Sequence, residues 1–144
     1  MKTFISVIVI LFLIIISFSL YVYLKVPNLE PKVSIVDVYS SNFWQKVYIK
    51  RKVWGITGNH EFTVVSKSGD ESFEPNEDNE YVYKGLSPIF YSFRDDTLNI
   101  YVMKESKKPT EMTTRIQVNQ IVLTNPQMMN LMVNYKDKGL KKVE

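Results

Sequence analysis

Hydrophobic residues follow three rhythms along this chain. The first is unbroken: from Phe4 to Leu24 no charge, proline or glycine interrupts a run dominated by Ile, Leu, Val and Phe, with Lys2 before it and Lys25 after it. At about 1.5 Å per helical residue the run reaches about 30 Å, the thickness of a bilayer's hydrocarbon core. The pattern predicts a transmembrane helix, with residues 1–25 acting as an uncleaved signal anchor. A removable signal peptide has a shorter apolar stretch and a small-x-small cleavage site. The exit here, Ser19-Leu20-Tyr21-Val22-Tyr23-Leu24-Lys25, contains no Ala or Gly. Tyr21 and Tyr23 suit the depth at which amphipathic rings anchor a helix at the membrane interface.

The second rhythm has period two. Strand-like runs are expected at Val33–Tyr39, Lys46–Trp54, His60–Lys67, Tyr81–Gly85, Ile89–Phe93, Thr97–Met103 and Arg115–Thr124. In the second run Val47, Ile49 and Val53 share one face while Lys50 and Lys52 take the other; in the sixth, Leu98, Ile100 and Val102 align. Ile116 and Val118 are out of phase with Ile121 and Leu123, which suggests a bend or bulge near Asn119-Gln120. Turn signals at Gly58-Asn59, Ser68-Gly69-Asp70, Ser87-Pro88 and Arg94-Asp95-Asp96 separate the runs. Parallel pairing requires crossovers of a dozen or more residues, so these spacings predict antiparallel hairpins.

The third rhythm is helical. Met128, Leu131, Met132 and Tyr135 fall at i, i+3, i+4 and i+7, predicting an amphipathic helix over Pro126–Lys136 with Asn125 as N-cap and Gly139 as stop. The expected fold is mainly β: one N-terminal transmembrane helix, then a small antiparallel sandwich or barrel of about 6–7 strands, closed by a short C-terminal amphipathic helix. Residues 26–32, with Pro27 and Pro31, read as a stiff linker, and residues 33–144 as the single β-rich domain.

Charge and composition narrow the function. Lys2, Lys25 and Lys32 against Glu30 account for two units of the net +3, leaving about +1 on the domain, too little for the concentrated basic surface that phosphate backbones require. A nucleic-acid partner is therefore not expected. The sequence has no cysteine, which removes disulfides, thiol chemistry and lipid-modified cysteine. The short stretch before the apolar run favours a cytoplasmic N-terminus and a domain on the periplasmic or extracellular side of the cell membrane.

Candidate chemistry is sparse. His60 is the sole histidine, and its titratable neighbour Glu61 points to the opposite strand face, so neither a catalytic pair nor a metal centre is expected. Asp70, Glu71, Glu74, Glu77, Asp78 and Glu80 cluster densely enough for a calcium site, but their order matches no EF-hand, and a solvated connection between strands is the expectation. Lys46, Lys50, Arg51 and Lys52 form an opposing basic set that either pairs loosely with the acidic segment or lies near anionic lipid headgroups, with a solvated strand face as the default expectation. Asp95 and Asp96 are expected turn formers; Phe43, Trp44 and Trp54 read either as exposed binding aromatics or as core, and core area is the expectation.

Trp54-Gly55-Ile56-Thr57-Gly58-Asn59-His60-Glu61, with Tyr81-Val82-Tyr83, Ile89-Phe90-Tyr91 and Asp96-Thr97-Leu98-Asn99-Ile100-Tyr101, resembles a pattern in small envelope proteins of Bacteroidetes-type bacteria that join one span or a lipid anchor to a β-rich domain. The resemblance implies a bacterial envelope and no particular activity. The expected function is a single-pass, membrane-anchored, non-catalytic binding domain without a cofactor, with another envelope protein or a glycan as partner. A small-ligand or calcium carrier is the alternative, and a hydrolase a weaker third.

Overall fold

The computed structural model describes residues 2–25, 30–55, 58, 60–71, 74–85 and 87–144. Residues 26–29 of the expected linker lie outside that set, as do 56, 57 and 59 of the hairpin quoted above. Two compact units divide the chain, Met1–Glu30 and Pro31–Glu144.

The first unit is helix α1, Lys2–Lys25, 24 residues long. Its described side chains are exposed, from Ile8 through Leu24. Among the described residues no helix is long and apolar enough to cross a membrane. The expected span at Phe4–Leu24 is thus helical, while its described side chains alone do not amount to one.

The second unit is mainly β. Strands β1 (Lys32–Ser40), β2 (Gln45–Trp54), β3 (His60–Ser66) and β4 (Tyr81–Lys84) form an antiparallel sheet in sequential order. Strands β5 (Phe90–Arg94), β6 (Thr97–Val102), β7 (Gln117–Val122) and β8 (Lys141–Lys142) form a second sheet in the order β7-β6-β5-β8. Here the expected all-antiparallel arrangement is corrected. β7 runs parallel to β6, with Leu98 beside Val118 and Val102 beside Val122. The segment between β6 and β7 supplies the long crossover that parallel pairing demands. An eighth strand also appears, a two-residue lysine pair that hydrophobic alternation cannot announce.

The two sheets share one core. Val38, Val47, Ile49, Val65, Tyr81 and Tyr83 from the first meet Tyr91, Leu98, Ile100, Val102 and Ile116 on the second side. The Tyr83 hydroxyl is buried in that core without a hydrogen-bond partner among the described residues, and burial pushes its pKa up, so the phenol stays neutral. The crossover closes one open side of the pair. Ser106 Oγ accepts the Val82 N–H at 2.7 Å on β4, while the Gln120 side chain of β7 grips the Ser106 backbone at 2.7 and 3.0 Å.

That grip explains the apparent bulge. The β6–β7 register runs unbroken through Asn119 and Gln120. Val118 packs towards the shared core, whereas Leu123 packs on the outer face of the second sheet. Gln120 faces inward as a polar clamp, so the apolar residues change face without an inserted residue.

Helix α2, Asn125–Asn134, covers the outer face of the second sheet. Its N-cap is Thr124, one residue earlier than expected, with the Thr124 N–H donating to Gln127 Oε1 at 2.8 Å. Met128 and Leu131 pack with Phe90 and Leu140, and Phe90 lies 5.1 Å from the Tyr135 ring. Met132, expected on this face, is instead 53% exposed. It joins Met129 and Val133 in a second apolar stripe turned to solvent. Gly139 ends the turn after the helix at φ 68°, a conformation glycine adopts without steric cost.

Candidate interaction site at the far end of the β unit

The chain enters the β unit at Lys32, and β1 carries it about 30 Å to the opposite end at about 3.3 Å per residue. Three segments meet there: the β1–β2 turn (Ser41 to Trp44), the β5–β6 turn (Asp95 and Asp96), and Thr114-Arg115 leading into β7. Asp96 ties the first two together. Its carboxylate accepts the Ser40 hydroxyl at 2.5 Å and the Asn42 side-chain amide at 2.6 Å, and the Ser40 oxygen accepts the Phe43 N–H at 3.2 Å. The third segment is held by Gln45, whose side-chain oxygen accepts the Arg115 N–H at 2.9 Å. Arg115 in turn lies 5.7 Å from the Phe43 ring.

Backbone strain gathers at this end. Asp95 and Asp96 have φ of 49° and 58°, as a two-residue hairpin turn requires, and short polar side chains tolerate that region. Trp44 does not belong to that class. It closes a four-residue hairpin at φ 53°, where Gly or Asn is the ordinary choice, and its side chain is 84% exposed. The left-handed region costs an L-residue about 1–2 kcal/mol. The expectation that Trp44 supplies core area is therefore corrected: neither burial nor local propensity accounts for a tryptophan here. Phe43 is half-buried under Arg115, and Trp54 packs at the other end against Phe62 at 5.2 Å.

The Ser40 and Asn42 hydrogen bonds hold the Asp96 carboxyl below its ordinary value of 3.8. The native state then binds fewer protons than the unfolded chain, so the contribution is complete above that value and fades as pH falls through the lower folded one. A carboxyl NMR titration is expected to place the Asp96 midpoint below 3.8, with the Asn42 side-chain amide signals moving in the same range. A midpoint at or above 3.8 would mean that the two turns are not joined through this group.

The other candidate residues have different fates. His60 stacks on the Trp54 ring at 5.6 Å, while Glu61 pairs with Arg51 through two contacts of 2.8 and 2.9 Å, and that pairing raises the Arg51 pKa. The acidic segment crosses the outer face of the first sheet. Glu74 reaches Lys52 at 3.0 Å, Glu80 reaches Lys50 at 3.6 Å, and Glu77 reaches Lys84 at 2.7 Å, an exposed contact that lowers the Glu77 pKa. Asp70 accepts from Ser68, and the backbone N–H of Asp78 donates to Asn76 Oδ1; Glu71 is exposed. Among the described residues no three carboxylate or histidine groups converge on a metal position.

The basic set is corrected too. Lys50 is not solvated: its side chain is 1% exposed beneath the acidic segment. Lys46 pairs with Asp37 at the surface, at 3.3 Å. No protein-family model matches the chain, and no curated protein or solved structure shows significant similarity to it.

Proposed function

We propose that this chain is a single-span, membrane-anchored protein of the bacterial cell envelope, with its β unit on the outer side of the membrane as a non-catalytic binding module that contacts its partner through Trp44. The observation that carries the reading is Trp44 itself, a large apolar side chain held in solvent on a backbone conformation it disfavours. Strained, exposed residues of this kind mark contact sites, and tryptophan is among the side chains most enriched at interface centres. Support for the anchor comes from the helical backbone over Lys2–Lys25, about 36 Å at 1.5 Å per residue, together with the uncharged sequence Phe4–Leu24. Another envelope protein or a glycan is the partner class this reading favours.

Trp44→Gly separates a contact role from a structural one. Stability of the full chain is expected to stay level or rise by up to about 1 kcal/mol, because glycine relieves the left-handed strain. A packed tryptophan would cost about 3–5 kcal/mol on truncation. A photoreactive amino acid at position 44 in intact cells is expected to give a discrete adduct, while the same group at exposed position 104 gives none. A large stability loss in Trp44→Gly, or identical adducts at both positions, would overturn the proposal for the tip. Extraction of the full chain from membranes by alkaline carbonate would overturn the anchor.

A further inference from the structure

Beside α2, on the outer face of the second sheet, lies a cavity of about 460 Å³. That volume falls within the range of small-molecule sites, about 300–1,000 Å³. Its inner wall is apolar: Tyr101 and Leu123 are half-buried, and Leu131 and Leu140 are 4% and 8% exposed. Its mouth is polar, with the exposed side chains of Gln127, Asn130 and Lys138, of which only Lys138 carries a charge. The short helix leaves the cavity, because α2 seats Met128 and Leu131 on Phe90 and Leu140 without covering the flank towards β6.

The charge at the mouth decides what fits. Among the described residues the ion pairs of the β unit use Lys46, Lys50, Arg51, Lys52 and Lys84. Lys138 forms no ion pair among the described residues, and no carboxylate lines the cavity, since neighbouring Asp137 is exposed and outside the lining. A neutral apolar ligand would leave the ammonium and the Asn130 amide unused, and a purely polar anion would leave the leucine wall wet. An ammonium beside a carboxylate gives a charge-assisted contact, stronger than a neutral one.

We infer that this cavity binds one alkyl chain of an amphiphilic anion, its tail against Leu123, Leu131 and Leu140 and its head at Lys138. Two sources share this chemistry, a free alkyl carboxylate and an anionic phospholipid that inserts one acyl chain. The inference does not depend on the Trp44 tip; its test reconstitutes the chain through the proposed span, whose failure alkaline extraction reports separately.

The experiment uses the full chain in zwitterionic nanodiscs with methyl-labelled leucine, titrated with octanoate, octanol and butyrate, with empty nanodiscs as reference. Octanoate is expected to shift the Leu123, Leu131 and Leu140 methyls saturably, about tenfold more tightly than octanol, with butyrate inert. Lys138→Gln, at an exposed position that leaves the fold untouched, is expected to erase the octanoate preference. Leu123→Trp is expected to fill the cavity and abolish both shifts. If nanodiscs doped with phosphatidylglycerol produce the same methyl shifts without octanoate, the bilayer supplies the ligand; if only octanoate does, the free acid is the ligand. Absence of saturable shifts from both sources, or equal octanoate and octanol affinity before and after Lys138→Gln, would overturn the inference.

Discussion

Replacing Glu80 with Gln is expected to destabilise the β unit by about 3 kcal/mol, although the change is isosteric and the residue lies outside the shared core. The reason is Lys50. Its ammonium sits 3.6 Å from Glu80 Oε1 with 1% of its side chain exposed, and the acidic segment closes over it. Removing the carboxylate's charge leaves a desolvated cation without that counter-charge, and breaking such a pair from one side costs about 3–5 kcal/mol. The glutamine oxygen can still accept the Asn76 N–H that Glu80 Oε2 accepts at 3.2 Å, so the local turn persists and the loss is electrostatic. Lys50→Met in the same background should restore most of the stability, since an apolar side chain of similar length fits where the cation was unfavourable. Urea unfolding of the four corner proteins of this cycle measures both statements. A loss below about 1 kcal/mol in Glu80→Gln would show that Lys50 does not rely on this carboxylate.

The second large effect concerns α2. Phe90→Ala is expected to cost about 3–5 kcal/mol, the range for truncating a buried aromatic. Phe90 is fully buried between β5 and the helix, in contact with Met128, Leu131 and Leu140, so its loss removes the surface on which α2 rests. The effect should be uneven. Amide exchange of α2 and of β8, which pairs with Phe90 and Tyr91, should accelerate more than exchange of the first sheet. Met132→Ala, on the solvent side of the same helix, should change stability by no more than about 0.5 kcal/mol. Equal losses in the two variants would mean that the helix packs on the wrong face here.

Period-two alternation made seven strands legible and the i, i+3 spacing made the helix legible, because Val47/Ile49, Leu98/Ile100/Val102 and Met128/Leu131 each bury one face against a core. Pairing direction was not legible for β7. Nothing in the composition of Met103 to Ile116 distinguishes a crossover from a hairpin connection, and the choice is made by Ser106 and Gln120 bridging the two sheets. The strand at Lys141–Lys142 was hidden because two charged residues at a sheet edge contribute backbone hydrogen bonds and no hydrophobic pattern. Lys50 looked solvated because alternation assigns it to an outer face; pairing with the acidic segment was a readable option, but the sequence does not reveal that the segment buries the lysine. Trp44 was misjudged for a related reason. Tryptophan is usually buried, and only its left-handed backbone, which the sequence does not display, marks it as exposed.

The strand order of the second sheet also fixes when it can form. A nascent chain that has emerged as far as Lys84 already holds every hairpin of the first sheet, and β5, β6 and β7 can pair once Val122 is out, but the outer face of the second sheet waits for α2 and Leu140. Until then Phe90 and its neighbours stand uncovered. During synthesis this protein therefore passes through a half-built stage with an uncovered apolar sheet face, and that interval is where chaperone capture or aggregation would compete with completion.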